Sequence, residues 1–201
     1  MIKVSFSGYA GSGKTSLMNE VKKILSLKSK VEAIEQLKGK NPFDNDKKSC
    51  FVSQFFYITT QINEENTRII APLDYLLCDQ SVLDQWAYWR YYLNSKDITP
   101  KMEEKNTLLR NIYRYWIKTY DLVFMIRTDL NELEKREFKN ELRIPDIDHI
   151  KKTDEIYKAI IEEDNLKVYN IWNNNSIDES AFEVLRVISE CKNKDFDMMA
   201  C

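Results

Sequence analysis

Histidine and cysteine are scarce in this sequence, and their scarcity argues against a zinc site. There is one histidine, His149, and the four cysteines are scattered along the chain as Cys50, Cys78, Cys191 and Cys201. No two cysteines form a C-x-x-C pair, so a zinc site built from cysteine and histidine is not expected. Scattered cysteines of this kind are typical of reduced thiols, and we expect a cytoplasmic protein.

Long apolar runs and a basic excess are also missing. No stretch approaches the roughly 20 apolar residues that a membrane-spanning helix needs, and no signal-peptide pattern is present. The net charge of −2 and the isoelectric point near 5.7 do not favour an extended nucleic-acid-binding surface. With 43% hydrophobic and 31% charged residues the chain can bury a core. We therefore expect one globular domain whose partners include neither a membrane nor an extended nucleic acid.

Glycine is scarce too, yet three of the four glycines lie within six positions, at Gly8, Gly11 and Gly13. The stretch GYAGSGKT, residues 8–15, fits G-x-x-x-x-G-K-[ST], the phosphate-binding P-loop. Wrapping a polyphosphate in backbone N–H groups requires conformations that glycine alone adopts freely. Lys14 is expected to neutralise the β- and γ-phosphates, and Thr15 to ligate Mg²⁺.

The neighbouring pattern favours a P-loop over an incidental glycine-rich turn. An alternating apolar run precedes the glycines, and apolar residues at helical spacing follow them. ATP and Mg²⁺ are therefore the expected cofactors. The predicted nucleotide-binding residues are Gly8, Gly11, Ser12, Gly13, Lys14, Thr15 and Ser16. A dinucleotide fingerprint is excluded, because the run is G-x-x-G-x-G and not G-x-G-x-x-G.

The lack of glycine elsewhere narrows the class of P-loop protein. A switch GTPase needs D-x-x-G, and no glycine here has an aspartate three positions before it. The guanine-reading N-K-x-D is also missing, because the NKDF at 193–196 has its aspartate one position early. What remains is a compact P-loop enzyme that begins at its first strand.

Strand and helix patterns alternate along the chain and predict an α/β fold. The expected architecture is a parallel sheet covered by helices on both faces. The predicted strands are 2–7, 30–36, 73–79, 121–127 and 166–171. We expect a single domain over 1–190 with a lid at about 128–148, and a frayed tail over 191–201. A homodimer that pairs through the predicted helix 101–118 is plausible.

Three stretches together resemble the P-loop nucleoside and nucleotide kinase superfamily. They are the P-loop, VEAIEQ and LLCDQSVLDQWAY. Ribosylnicotinamide kinase-like members carry D-R-[GS]-x-x-D-x-x-A-Y after the third strand. The matching positions here are Asp79, Gln80, Ser81, Asp84, Ala87 and Tyr88. The resemblance, which extends to deoxynucleoside and thymidylate kinases, implies a three-layer P-loop fold with five parallel strands and a short helical lid.

The resemblance also implies roles for two carboxylates. Asp79 is expected to end a strand beside the P-loop and to support Mg²⁺ or orient the acceptor, although a helix N-cap role is an alternative. Glu35 is either a base for the acceptor hydroxyl or an ordinary exposed glutamate. Gln80 stands where many related kinases have arginine, so the positive charge there has to come from elsewhere, or the enzyme is degenerate or regulatory.

Positive charge over the transferred phosphate is expected from the lid. The best candidates are Arg136 and Arg143, with Arg127 and Lys135 behind them, although the same segment would also make a good solvated helix. The residues expected to bind the acceptor are Gln54, Tyr57, Gln80, Asp84 and Arg90.

These expectations describe an ATP-dependent kinase that transfers the γ-phosphate to a small acceptor, most simply a nucleoside or nucleotide. The catalytic set is Lys14, Asp79, Glu35, Arg136 and Arg143, with Thr15 and Asp79 at the metal. Two alternatives stay open. One is a nucleotide-binding regulatory ATPase with little turnover, and the other is a kinase for polynucleotide ends or nicotinamide riboside.

Overall fold

A computed structural model describes residues 1–37, 39–43, 50–94, 96–135, 147–174 and 176–199, with only the backbone at 134–135 and 193–199. The strands are β1 (Ile2–Ser7), β2 (Val31–Ile34), β3 (Tyr75–Asp79), β4 (Leu122–Arg127) and β5 (Tyr169–Trp172). The helices are α1 (Lys14–Leu25), α2 (Cys50–Ile69), α3 (Val82–Leu93), α4 (Pro100–Trp116), α5 (Leu130–Lys135), α6 (Ile147–Glu163) and α7 (Ile177–Met199). A 3-10 turn, Ile117–Thr119, follows α4.

The five strands form one parallel sheet in the order β2-β3-β1-β4-β5. The central strand β1 pairs on one side with β3 and on the other with β4, and Phe6 stands opposite both Asp79 and Phe124. Because all strands run the same way, their carboxyl ends meet at one edge. The residues after β1, β2 and β3 are therefore neighbours at this carboxyl edge, as in other open α/β sheets.

Each face of the sheet is covered by its own set of helices. One cluster packs Phe6 and Phe124 against Leu17 of α1 and Val184 of α7. The other packs residues from α2, α3, α4 and α6 against Leu76, Cys78, Val123 and Met125. The alternation of side chains along β3 and β4 sends apolar residues to both faces, whereas the apolar residues of β1 lie on one face only. The predicted α/β class, with a five-stranded parallel sheet and helices on both faces, is confirmed.

Several element bounds differ from the predicted ones, most clearly those of the last strand and the last helix. The last strand starts at Tyr169 and not at residue 166, because Asn165 adopts φ 46° and the Leu166 N–H bonds to the Ile161 carbonyl, which closes α6 first. Helix α7 continues to Met199, so much of the stretch predicted as a frayed tail is helical. Within the described ranges no helix is long and apolar enough to cross a membrane.

A buried polar network lies at the amino edge of the sheet. The Lys3 ammonium pairs with Glu65 over 2.9 Å, and neither side chain is more than 4% exposed. The Glu65 carboxylate also accepts hydrogen bonds from Gln61, Trp116 and Tyr120. These donors satisfy a carboxylate that the interior would otherwise destabilise.

Replacing Glu65 by glutamine should destabilise the fold strongly, because Lys3 then keeps its charge without a buried counter-charge. We expect Glu65→Gln to lower the free energy of unfolding by about 3–5 kcal/mol in urea denaturation. The matched control is Glu64→Gln on the same helix, since Glu64 pairs with the half-exposed Arg68. That change should cost less than about 1 kcal/mol. Equal losses in the two variants would contradict the prediction.

Candidate functional site

The loop between β1 and α1 has a backbone that requires glycine. Gly8, Gly11 and Gly13 have φ values of 143°, 85° and 87°, which side chains with a β-carbon rarely adopt. A Cβ on Gly8 would also lie 2.5 Å from the Ile126 carbonyl oxygen. Gly13 immediately precedes α1, so the loop leads into a helix N-terminus, where free N–H groups favour an anion.

Lys14 is the buried cation of this loop. Its Nζ donates to the carbonyl oxygens of Gly8 and Tyr9 over 2.8 and 2.9 Å. Burial lowers the pKa of Lys14, and the charges of Asp84 and Asp79 oppose that shift. No carboxylate in the described part of the chain pairs directly with the ammonium. An anion bound in the loop would supply the missing counter-charge.

Thr15 and Asp79 bring two oxygen ligands together at the carboxyl edge. Thr15 Oγ1 donates to Asp79 Oδ2 over 2.6 Å, which joins the start of α1 to the end of β3. Asp79 is 1% exposed, and its Oδ1 has no hydrogen-bond partner among the described residues. A hydroxyl and a carboxylate are the hard oxygen ligands that Mg²⁺ takes, and Mg²⁺ needs few of them from the protein. The residues present therefore fit the ion.

Burial raises the pKa of Asp79 above its usual 3.8, and the nearby charges of Asp84 and Glu35 add to this, while Thr15 and Lys14 lower it. Glu35 follows β2 at the same edge and is exposed. Because β2 pairs with β3, Glu35 and Asp79 lie at the carboxyl ends of neighbouring strands. The sequence analysis named Glu35 as a candidate base for the acceptor hydroxyl, and this residue lies at the carboxyl edge as that role requires.

The raised pKa of Asp79 predicts that the contribution of this residue to stability depends on pH. The folded protein holds this proton more tightly than the unfolded chain, so the Asp79 contribution to stability falls as pH rises from 3.8 through the higher folded value. In metal-free buffer Asp79→Asn should therefore be more stable than the unaltered protein at pH 7. Urea unfolding at several pH values should show this advantage shrinking toward pH 4. An advantage that does not change with pH would contradict the prediction.

Ser81, and not Asp79, caps α3. The Leu83 N–H donates to Ser81 Oγ over 3.2 Å, and Asp84 Oδ2 accepts the Ser81 N–H over 2.8 Å, which completes a capping box. Asp79 takes no part in this cap and instead contacts Thr15 of the P-loop. Between them Gln80 adopts φ 84°, a strained value for a residue with a side chain, and its Oε1 accepts from Gln85 Nε2 over 3.3 Å.

The first turns of α2 lie over the same edge. Asn41, in the loop after β2, donates its Nδ2 to Ser53 Oγ over 2.7 Å and so ties the two segments together. Next to Ser53, the Oε1 atom of Gln54 is buried and has no donor among the described residues. Tyr57 follows one turn later and is half-buried. An orphaned buried acceptor of this kind is suited to a ligand that carries an N–H or O–H donor.

Two residues predicted to bind the acceptor have other partners. Asp84 is fully buried and accepts hydrogen bonds from Ser7 Oγ, the backbone N–H groups of Gly8 and Ser81, and Tyr157 OH. Arg90 pairs with Glu163 over 2.6 Å, about 12 Å along α3 from the start of that helix. These placements give Asp84 a structural role and direct Arg90 toward α6.

The structure does not test the predicted roles of the lid residues. Arg136 and Arg143 lie outside the described residues, and so does the side chain of Lys135. Arg127, the last residue of β4, donates to Asp154 over 2.5 Å and to Asn170 over 3.0 Å. It is therefore held between α6 and β5.

The comparisons with known proteins agree with this geometry. The family model AAA_28, described as an AAA domain, matches residues 3–179. The chain belongs to the AAA_28 family. No curated protein is similar enough in sequence to count as a relative of this AAA_28 protein.

Solved structures extend the similarity at the level of the fold. Thymidylate kinase from Candida albicans aligns with a TM-score of 0.66 and 17% identity, over 96% of this chain and 92% of that one. Deoxyadenosine kinase from M. mycoides with bound dATP gives 0.67 and 17%, over 94% and 100%. Thymidylate kinase from Ehrlichia chaffeensis gives 0.64 and 18%, over 93% and 98%. The AAA_28 protein therefore has the P-loop nucleoside and nucleotide kinase fold, as the resemblance implied.

Sequence reasoning missed a second set of P-loop supports in this AAA_28 protein. Tyr9 OH accepts from the Thr128 N–H over 2.7 Å and donates to the Thr128 carbonyl. The Ser12 carbonyl accepts from Thr128 Oγ1 over 3.1 Å and from Asn173 Nδ2 over 3.0 Å. The partners come from the ends of β4 and β5, more than a hundred residues away. No local spacing in the sequence could have found them.

Proposed function

We propose that this protein is an ATP-dependent kinase that transfers the γ-phosphate to a small acceptor, a nucleoside or nucleotide. The observation that carries the proposal is the contact of Thr15 with Asp79 beside the P-loop. It joins a hydroxyl to a buried carboxylate whose other oxygen has no partner among the described residues. A site for phosphate alone would need no such pair, whereas a site for a magnesium–nucleotide complex does.

Different groups of the P-loop would hold different parts of a triphosphate. The glycine backbone and the start of α1 would bind phosphate oxygens through N–H groups, and Lys14 would turn its ammonium from the loop carbonyls to phosphate. Thr15 and Asp79 would hold Mg²⁺. A metal ion held there would neutralise negative charge on the phosphates. The protein itself contributes orientation and fixed positive charge in a buried setting.

The acceptor would lie between β2, the first turns of α2 and Asp79. Glu35 is exposed there and can accept a proton from an attacking hydroxyl, and Gln54 has a buried acceptor atom for a donor on the ligand. Such groups suit a nucleoside, which offers a hydroxyl to phosphorylate and polar base edges to recognise. The similar structures are a thymidylate kinase and a deoxyadenosine kinase, which supports the same class of acceptor.

The test is a transfer assay with γ-labelled ATP, Mg²⁺ and a panel of nucleosides and nucleoside monophosphates. We expect one group of acceptors to be labelled, and we expect Gln54→Leu to raise the KM for that acceptor while leaving the KM for ATP unchanged. Leu37→Met, a conservative change at a buried residue that follows β2, serves as a folding control. Failure to label any acceptor would remove the kinase proposal.

A second candidate function is a nucleotide-binding regulator with little turnover. It is favoured by Gln80, which is neutral, stands in a strained conformation directly after Asp79, and replaces the expected arginine. The same assay separates the two, since a regulator would bind ATP in calorimetry and label no acceptor. Adding nicotinamide riboside and an oligonucleotide with a free 5′ end to the panel covers the other kinase alternatives.

A further inference from the structure

Tyr157 is fully buried on α6. Its hydroxyl lies close to Gly8, the first residue of the P-loop, and to Asp84, which hydrogen-bonds to Gly8. Its hydroxyl donates to Asp84 Oδ1 over 2.8 Å and lies 3.3 Å from the carbonyl oxygen of Gly8. The same Asp84 oxygen accepts the Gly8 N–H over 3.0 Å. The backbone donor and the backbone acceptor of Gly8 are therefore both within reach of one pair of side chains, from α3 and α6.

The Gly8 carbonyl has a second donor, Lys14, and ligand binding affects the two donors differently. Lys14 Nζ donates to this carbonyl over 2.8 Å. A phosphate in the loop competes for the ammonium, because a charge-assisted contact to an anion is stronger than one to a neutral carbonyl. Tyr157 has no such competitor. If Lys14 turns to phosphate, Tyr157 is the one side-chain donor among the described residues that remains for the buried Gly8 carbonyl.

Asp84 keeps other hydrogen-bond donors if the Tyr157 hydroxyl turns away from it. It also accepts from the N–H groups of Gly8 and Ser81 and from Ser7 Oγ, over 3.0, 2.8 and 2.7 Å. The hydroxyl of Tyr157 can therefore rotate toward the carbonyl while three other donors remain on the carboxylate. A phenylalanine at this position could not replace the lost contact.

We propose that Tyr157 is a positioning residue for nucleotide binding. Its hydroxyl turns from Asp84 to the Gly8 carbonyl when Lys14 moves to phosphate, so that the loop keeps its shape as the lysine leaves. The inference rests on the proposed function only in requiring that the P-loop bind a nucleotide phosphate. It does not depend on which acceptor, if any, is phosphorylated.

The first test compares two tyrosine variants by calorimetric titration with ATP and Mg²⁺. Tyr157→Phe should weaken binding about tenfold, since a buried carbonyl loses its donor in the bound state. The control is Tyr120→Phe, because Tyr120 is also buried and also donates its hydroxyl to a buried carboxylate, Glu65, at the amino edge of the sheet. It should lose stability without losing affinity. Equal affinities for both variants would overturn the proposal.

The second test is a stability cycle in the absence of nucleotide. In Lys14→Ala the Gly8 carbonyl depends on Tyr157 already in the free protein. Tyr157→Phe should therefore lower the free energy of unfolding more in the Lys14→Ala background than in the unaltered protein. Additive losses would overturn the proposal. If the unaltered protein does not bind ATP, both this proposal and the kinase proposal fall. If the protein binds ATP but transfers phosphate to no acceptor, only the kinase proposal falls.

Discussion

Lys14→Ala should reduce phosphate transfer by about a thousandfold, because it removes the only P-loop side chain that can place a full positive charge on the transferring phosphate. The ammonium is already buried beside the loop, where it donates to the Gly8 and Tyr9 carbonyls, so a short turn brings it to a bound phosphate. The steady-state rate with ATP, Mg²⁺ and the best acceptor of the panel measures the effect. Calorimetry should show weaker ATP binding in the same variant.

The control for Lys14 lies on the same helix. Lys23 is exposed on α1 and pairs with Glu20 three residues earlier, so Lys23→Ala removes a lysine from α1 without touching the loop. We expect its transfer rate to stay within about twofold of the unaltered protein, because an exposed ion pair contributes little. Transfer by Lys14→Ala at the rate of this control would show that the P-loop assignment is wrong.

Asp79→Asn should lower transfer at least about a hundredfold and raise the Mg²⁺ concentration that transfer requires. The substitution keeps an oxygen for the Thr15 hydroxyl but removes the negative charge that holds a divalent cation, and metal stabilisation of the transferring group amounts to several kcal/mol. The measurement is the transfer rate as a function of Mg²⁺ concentration. Binding of ATP in EDTA should change little, because that binding uses the loop and Lys14.

The matched control for Asp79 is Asp74, because the two aspartates lie at opposite ends of β3. Asp74 lies just before β3, and its Oδ2 accepts the Lys30 N–H over 2.8 Å at the amino edge of the sheet. Asp74→Asn should leave the Mg²⁺ dependence unchanged. An unchanged Mg²⁺ dependence in Asp79→Asn as well would rule out a metal-supporting role for that residue.

The sequence predicted the fold and the phosphate loop well because both depend on local patterns. Alternating and helically spaced apolar residues determine which segments are strands and helices, and the order of those segments allows little besides a parallel sheet. The P-loop is a contiguous motif whose glycines are needed for backbone reasons that hold in any fold. The position of Asp79 at the end of β3 was predicted for a similar reason, since the end of a strand next to the P-loop strand is fixed by topology.

Roles that depend on the partner of a side chain could not be predicted in this way. Asp84 matched a family position and was expected to contact an acceptor, but in the structure it is buried among Ser7, Gly8, Ser81 and Tyr157. Arg90 was expected nearby and instead pairs with Glu163. Helical spacing tells which face a residue occupies, but it does not tell which other helix covers that face.

The sequence by itself thus determined the α/β class, the order of the strands along the chain and the glycine loop, since each follows from residues close together in the chain. Only the tertiary structure decided that Thr15 contacts Asp79 and that Tyr157, Thr128 and Asn173 support the P-loop. The reason is physical. These contacts join residues 64 to 161 positions apart, and only the packing of the helices on the sheet brings them within hydrogen-bond distance.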